Sequence, residues 1–270
     1  MGEKVAKKVG YKKLEEFRRK LTKLTDKLIE VYSSDETVAE VCVSRGYTED
    51  AMINVLKEVG VFKLDRMWDI RCVADQLLKD EVYDTEFYEM LGAEVDGYYI
   101  ESGRYTIPIR DISGEVTAWV GWYPDTKKYI TTNSYGFSKG AQFFNAECYR
   151  ECWEKNNGVV YLVEGIFDTL SLRSLGFSAL GNMGIDLSAA KAEMLLRFSK
   201  IIVINDNDKV GQEANRYSPY AKKNKIWNVP ESSCIVKLPD GVKDADDLIK
   251  GYDCYEELKK CQTKKFQVKL

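Results

Sequence analysis

Carboxylates placed at the ends of apolar strands are the residues of this sequence best suited to chemistry. Glu164 directly follows the apolar, β-branched run 159–163, and Asp206 and Asp208 follow a second such run, 201–204. Asp168 stands one helical turn after Glu164, so it can face the same space. Asp206 and Asp208 are two residues apart, which in extended chain turns both side chains to one side. Asp244, Asp246 and Asp247 come after a third strand-like run, 234–238. A lone D-x-D is most often a solvated turn or a helix cap, and Glu-Gly after a strand is just as weak alone. Their joint placement after strongly apolar strands points to a shared site. Like charges so close raise one another's pKa, so a dense cluster implies a bound cation. Oxygen-only donors favour Mg2+ or Mn2+ over zinc. Mg2+ on a few carboxylates, with waters left open to phosphate, is the usual arrangement for phosphoryl transfer.

What is missing narrows the chemistry further. The sequence contains no histidine, which removes Ser-His and Cys-His nucleophile pairs, histidine zinc sites and imidazole acid–base steps. Seven scattered cysteines form no C-x-x-C pair. That spacing suits neither a zinc ribbon nor a disulfide framework, so reduced structural thiols in a cytoplasm are expected. No apolar run approaches the ~18 residues that would suggest a membrane span, and the N-terminus lacks the apolar core of a secretory signal.

The elements that must position the acids follow from the periodicity. The charged fraction is 31% and the hydrophobic fraction 44%, which is the composition of an ordinary globular chain able to bury a core. From residue 158 onward apolar strands alternate with helices: strands at 159–163, 179–180, 201–204 and 234–238, helices at 168–175, 188–198, 211–223, 244–250 and 255–261. This rhythm argues a parallel, doubly wound sheet, in which ligands bind beyond the carboxyl ends of the strands. The acids fall there. Upstream, residues 98–131 alternate with period two and read as an antiparallel meander of strands 105–110, 115–123 and 128–131. Before them lie short helices at 36–44 and 49–59, ended by Gly46 and Gly60, and an acidic helical stretch at 65–91. Residues 11–31 form one amphipathic helix with Leu14, Phe17, Leu21, Leu24, Leu28 and Val31 on its apolar face. That helix could pack on its own domain, dock a partner or bind nucleic acid. The first 34 residues carry ten Lys/Arg against five Asp/Glu, and residues 35–100 six against sixteen. This polarity suggests distinct partners for distinct regions.

The runs VEGIFDTLSL, GNMG, IIVINDNDKVGQEA and LPDGVKDADDLI together resemble the Toprim domain in its DnaG-type primase form. Glu164 and Asp168 match that family's E-G-x-x-D. Asp206, Asp208, Gly211 and Ala214 match its D-x-D-x-x-G-x-x-A, with Asn207 where the family usually has glycine, and Asp244 and Asp246 match its late D-x-D. Upstream, TIPIRDISGEVTAWVGW and KKYITTNSYGFSKGAQFFN are similar to the basic subdomain that precedes Toprim. SRGYTEDAMINVLKEVGVF is a looser match to the helical stretch that opens it.

The resemblance implies an α/β chain with a Toprim (Rossmann-like, parallel-sheet) domain over 158–270. A mixed α+β primase-type subdomain would precede it over 35–157, and a basic N-terminal helix over 1–34. It implies a metal-dependent nucleotidyltransferase that makes RNA primers on single-stranded DNA from ribonucleoside triphosphates. Glu164, Asp168, Asp206 and Asp208 would be catalytic, and Glu164, Asp206, Asp208, Asp244 and Asp246 would hold metal. Arg110, Lys127, Lys128 and Lys139 would contact phosphates, and Tyr129, Trp119 or Trp122 could stack on bases, although alternating strand aromatics are more often core. No zinc-ligand spacing and no helicase-contacting C-terminal domain are found. The expectation is therefore a compact phage- or mobile-element-type core served by a separate zinc-module protein and a replicative helicase. A Toprim nuclease and a non-catalytic Toprim adaptor in a replication complex remain the alternatives.

Overall fold

In the computed structural model the described residues are 10–48, 50–64, 67–92, 94–95, 98–99, 104–124, 128–184, 187–207, 234–262 and 268–269. The chain divides into two compact units drawn from alternating stretches rather than consecutive ones. One comprises residues 1–37, 60–109 and 115–137, and the other 38–59, 110–114 and 138–270.

The first unit is built on α1 (Tyr11–Tyr32), whose apolar stripe buries Phe17, Leu21, Leu24 and Leu28. Of the three roles open to this helix, packing on its own unit is the one observed. Its leucines join a core with Phe62, Ile70, Leu91 and Trp119. Val31, expected on the same stripe, is instead 45% exposed. Past α2 (Asp35–Arg45) and α3 (Asp50–Val59), both at the expected places and, from residue 38, part of the second unit, comes a strand the sequence pattern missed, β1 (Phe62–Leu64). The acidic stretch expected as one helix is two, α4 (Met67–Leu77) and α5 (Thr85–Leu91). The break falls where Asp84 takes an extended conformation and accepts the Phe87 N–H at 2.9 Å. Such a cap ends one helix and starts another.

Past the two-residue strands β2 (Glu94–Val95) and β3 (Tyr98–Tyr99), the expected meander is present as β4 (Arg104–Arg110), β5 (Val116–Tyr123) and β6 (Lys128–Thr131). With β1 on its outer edge it makes a four-stranded sheet in the order β1-β4-β5-β6. A tight turn at 111–114 links β4 and β5. There the Asp111 carboxylate accepts the Ser113 N–H at 2.9 Å, and Gly114 supplies a φ of +85°. Residues 116–122 of β5 are buried on both faces, so the strand is a core element and not a half-exposed one. Trp119 and Trp122 are accordingly inside, and the Trp119 Nε1–H donates to Thr25 Oγ1 of α1 at 2.9 Å. Neither indole is free to stack on a base. Tyr129 is 41% exposed.

In the second unit a 3-10 turn (Ala146–Cys148) leads into α6 (Tyr149–Asn156) and then the alternating segment. Its elements are β7 (Val159–Val163), α7 (Ile166–Ser174), β8 (Ala179–Gly181), α8 (Ala189–Leu195), β9 (Lys200–Ile204), β10 (Cys234–Lys237), α9 (Ala245–Gly251), α10 (Tyr255–Cys261) and β11 (Val268–Lys269). Five strands pair in the order β11-β10-β9-β7-β8, every pair parallel. The fold is thus the expected parallel α/β sheet, with β11 an edge strand the sequence pattern missed. Its central strands are buried on both faces, as continuous apolar runs require. Tyr161, Val163, Ile202 and Ile204 face one core, and Val160, Leu162, Ile201 and Val203 the other. The helix expected at 211–223 lies outside the described residues. All seven cysteines are free thiols. Among the described residues no helix is long and apolar enough to cross a membrane.

Candidate active site

From β7 the chain steps to β8 on one side and then returns to β9 on the other. The sheet therefore reverses direction between β7 and β9, and a crevice opens at the carboxyl ends of strands at such a point. The two strands end level, Val163 opposite Ile204. The residues that follow meet there: the Asp206 N–H donates to Glu164 Oε1 at 3.2 Å. The end of β8 wraps the same turn. Asn182 N–H donates to Val163 O at 2.8 Å, and Met183 N–H to Glu164 O at 2.9 Å. Met183 takes a left-handed φ of 55° to do so.

Gly165, which caps α7, has ordinary extended backbone (φ −103°, ψ 166°). It is needed for space, since a Cβ there would lie 2.3 Å from Asp168 Oδ2. That oxygen accepts the Gly165 N–H at 3.1 Å, and Asp168 Oδ1 accepts the Asp246 N–H at 3.0 Å. Asp168 thus ties the start of α7 to the start of α9 from a buried position. Burial first, then the charge of Asp244 and to a lesser degree that of Asp206, raise its pKa to about 7 against the Asp246 N–H.

The remaining acids divide by role. Asp244 caps α9, accepting the Asp247 N–H at 2.8 Å, and pairs with Lys243 at 3.0 Å. Asp246, a metal ligand in the sequence reading, has both its oxygens engaged by side-chain donors. Oδ1 accepts from Tyr47 Oη (2.7 Å) and Ser171, and Oδ2 from Arg45 and Lys250 (2.7 Å). Burial alone would raise its pKa, but hydrogen bonds from Lys250 and Ser171 and the Arg45 charge hold it below the usual range. Asp208, the other half of the D-x-D, lies outside the described residues. Among the described residues no three acidic or sulfur-bearing side chains form a metal-holding group by themselves. Glu164, Asp206 and their neighbours Asp168 and Asp244 offer only oxygen donors, a set suited to a hard divalent cation.

Asn207 at the family's glycine position is a staple. Its N–H donates to Lys243 O at 2.6 Å, and its Nδ2 to Val242 O at 3.0 Å. The turn after β9 is thereby tied to the loop before α9.

Of the basic candidates, Arg110 ends β4 and donates to Gly114 O at 3.0 Å. Lys128 starts β6, Lys127 lies outside the described residues, and Lys139 is exposed in a polar turn. Lys139 is close enough to help lower the pKa of buried Lys191 to about 8, although burial contributes more. Lys191 donates to Asn182 Oδ1 at 2.9 Å. Sequence patterning did not single out Arg45, Tyr47, Ser171, Lys191 or Lys250. The one available signal was the Arg-Gly-Tyr corner in the loosely matching helical stretch.

Residues 161–249 match the Toprim-like family. A DNA primase of Aquifex aeolicus is 32% identical over 164 residues, 58% of this chain and 31% of that protein. The RNA polymerase domain of Mycobacterium tuberculosis primase DnaG superposes with a TM-score of 0.71 at 18% identity, covering 93% of this chain and 83% of that one. The chain has the fold of a DnaG-type primase catalytic core. A DnaG primase catalytic domain bound to single-stranded DNA matches this core at a TM-score of 0.65 and 23% identity, covering 92% of this chain and 79% of that one. The core spans about a third of the length of the curated relatives it matches.

Proposed function

We propose that the chain is the catalytic core of a DNA primase, joining ribonucleoside triphosphates into short RNA primers on single-stranded DNA. The observation that carries this reading is the meeting of Glu164 and Asp206 at the reversal point of a Toprim-like parallel sheet, with Asp168 buried beside them. The similarity to a DnaG catalytic domain bound to single-stranded DNA supports the template. In this reading residues 158–270 carry the chemistry, and the primase-type segment 35–157 guides template and nucleotides.

Glu164, Asp206 and Asp208 would hold Mg2+ or Mn2+, and Asp244, whose charge acts on the neighbouring Asp168, would share that role. When bound, the cation supplies charge neutralisation for the triphosphate and activation of the primer 3′ hydroxyl. The protein's own contribution is position. The hydrogen bond from the Asp206 N–H and the wrapped end of β8 fix Glu164, and Asp168 braces the turn that presents it. Such pre-set geometry is where most of the rate enhancement in phosphoryl transfer comes from. Arg110, Lys127, Lys128 and Lys139 would contact phosphates, with Tyr129 the exposed aromatic available for stacking. A separate zinc-module protein and a replicative helicase are the partners this reading calls for.

The test is incubation with single-stranded DNA, labelled ribonucleotides and Mg2+ or Mn2+. Short RNA products that vanish in Asp206→Ala are expected. Nicked DNA without nucleotides would point instead to a nuclease. No product even with candidate partners present would leave an adaptor.

A further inference from the structure

One buried carboxylate of the second unit is engaged by side-chain donors on both its oxygens. Asp246 is 2% exposed and receives four side-chain donors. Two of them come from the corner between α2 and α3: Arg45 on Oδ2 and Tyr47 on Oδ1. The corner is fitted to the start of α7 as well. The Arg45 guanidinium lies 4.3 Å from the centre of the Phe167 ring, and the Lys250 ammonium 4.3 Å from that of Tyr47. Gly46, between the two, takes the φ of +72° that the sharp turn requires. Ser171, on the next turn of α7, supplies the third donor, and Lys250 of α9 the fourth.

A buried carboxylate with both oxygens occupied has one arrangement of lowest energy, so it locks the elements that donate to it. Here those elements are the α2–α3 corner, α7 and α9. Asp246 passes the constraint on through its backbone. Its N–H donates to Asp168 Oδ1, Asp168 Oδ2 accepts the Gly165 N–H, and Gly165 follows Glu164 directly. Glu164 in turn accepts the Asp206 N–H. An unbroken run of hydrogen bonds and peptide units therefore leads from Arg45 and Tyr47 to the strand-end carboxylates.

We propose that Arg45 and Tyr47 are positioning residues. Acting through Asp246, they fix α7 against α9 and so hold Asp168 and Glu164 where a divalent cation is bound. The cation-binding part rests on the proposed function; the positioning part does not. Two simpler roles predict different outcomes. If Asp246 were itself a cation ligand, its loss would abolish binding while Tyr47→Phe had no effect. If Arg45 acted only by its charge, removing that charge beside an acidic cluster would tighten cation binding.

Two measurements on the full chain decide the matter. The first is amide hydrogen exchange without added metal, read at Gly165 and Asp246 and compared with Val203 in the centre of the sheet. Tyr47→Phe and Arg45→Gln are expected to speed exchange at Gly165 and Asp246 while Val203 keeps its protection. Unchanged exchange at those two amides, or equal acceleration at all three, would overturn the proposal. The second is Mn2+ binding by calorimetry beside the thermal midpoint in chelator. Partners behind a metal ligand usually cost 10- to 100-fold in affinity. Arg45→Gln is therefore expected to weaken Mn2+ binding about 10-fold, and Arg45→Gln with Asp246→Asn to be no weaker than Asp246→Asn alone. Tyr47→Phe should weaken it less, at a midpoint close to that of the wild type. Wild-type affinity or tighter in Arg45→Gln, or full additivity in the double variant, would sink the idea. Failure of the wild type to bind Mn2+ would overturn the reading of function instead, and the exchange data would still decide the clamp.

Discussion

At position 165 the constraint is space, and the sequence showed only its result. Glu-Gly after a strand carried little weight alone, and the backbone angles there suit any residue. What excludes a side chain is the carboxylate of Asp168 folded back over the helix start. Gly165→Ala should therefore destabilise by about 1–3 kcal/mol through crowding, read as a lower urea midpoint with unchanged slope. A neutral substitution would mean that Asp168 does not hold that position. A second residue-scale prediction concerns Glu147, which no motif singled out. Its Oε2 is buried with no hydrogen-bond partner among the described residues. Burial, only partly offset by its own backbone N–H and by Arg173 and Arg110, raises its pKa from 4.5 to about 7. Between those values the folded protein keeps a proton that the unfolded chain has released, so stability falls as pH rises through that window. The loss is at most roughly 3 kcal/mol. Glu147→Gln should remove it, making the variant more stable than wild type at pH 8 and little different at pH 4.5. Denaturation curves at four pH values would check this, and a wild type equally stable at pH 5 and pH 7.5 would refute it. The meeting of Glu164 and Asp206 was legible because each lies within two residues of the end of an apolar strand. The hydrogen-bonded surroundings of Asp246 were not, because its donors Arg45, Tyr47 and Ser171 are brought to it only by tertiary folding.

Among the elements, α1 best separates what periodicity reveals from what it hides. Its leucine spacing gave the helix and its buried face but left its other face open to a partner or to nucleic acid. Part of that face is paired within its own unit. Arg19 pairs with Glu81 (3.0 Å), Lys23 with Asp80 and Lys13 with Glu86, and Lys20 donates to Val82 O at 3.1 Å. Exposed pairs of this kind contribute about 0–1 kcal/mol each, whereas deleting a buried leucine side chain costs about 2–5 kcal/mol. Leu24→Ala is thus expected to lower stability several-fold more than Arg19→Ala, and only the latter deficit should shrink in 1 M salt. Equal effects in a denaturant titration would mean that the helix is held by charge and not by its core. Strand β1 was invisible for a different reason. At three residues it is too short to carry a period, and only its pairing with β4 defines it. The period-two reading of β5 found the strand but not the burial of both its faces, which depends on α1 covering the sheet.

Over the whole molecule the segregated charge finds part of its answer internally. Lys13, Arg19 and Lys23 of α1 pair with acids at 80–86 in the same unit, so part of the opposing excesses in sequence is met internally. A concentration of like charge remains at the strand ends, where Lys243 pairs with Asp244. Asp168, Asp206 and Asp244 interact closely enough for two of them to raise the pKa of the third. Keeping such a group ionised costs stability, and a bound cation should return it. Two linked results are therefore expected in thermal melts. Without divalent cations, Asp206→Asn should melt above the wild type, because it removes one of the repelling charges. With Mn2+ at a hundred times its dissociation constant, the wild type should gain about 2.7 kcal/mol by mass action and overtake the variant, which should gain little. Chelator should reverse the gain. A Mn2+-induced shift of equal size in Asp206→Asn would remove that residue from the cation site. A variant less stable than wild type in chelator would mean that the Asp206 carboxylate is held by partners and not opposed by its neighbours. The crossing of the two stabilities separates a site that binds a cation from an acidic cluster that merely tolerates one.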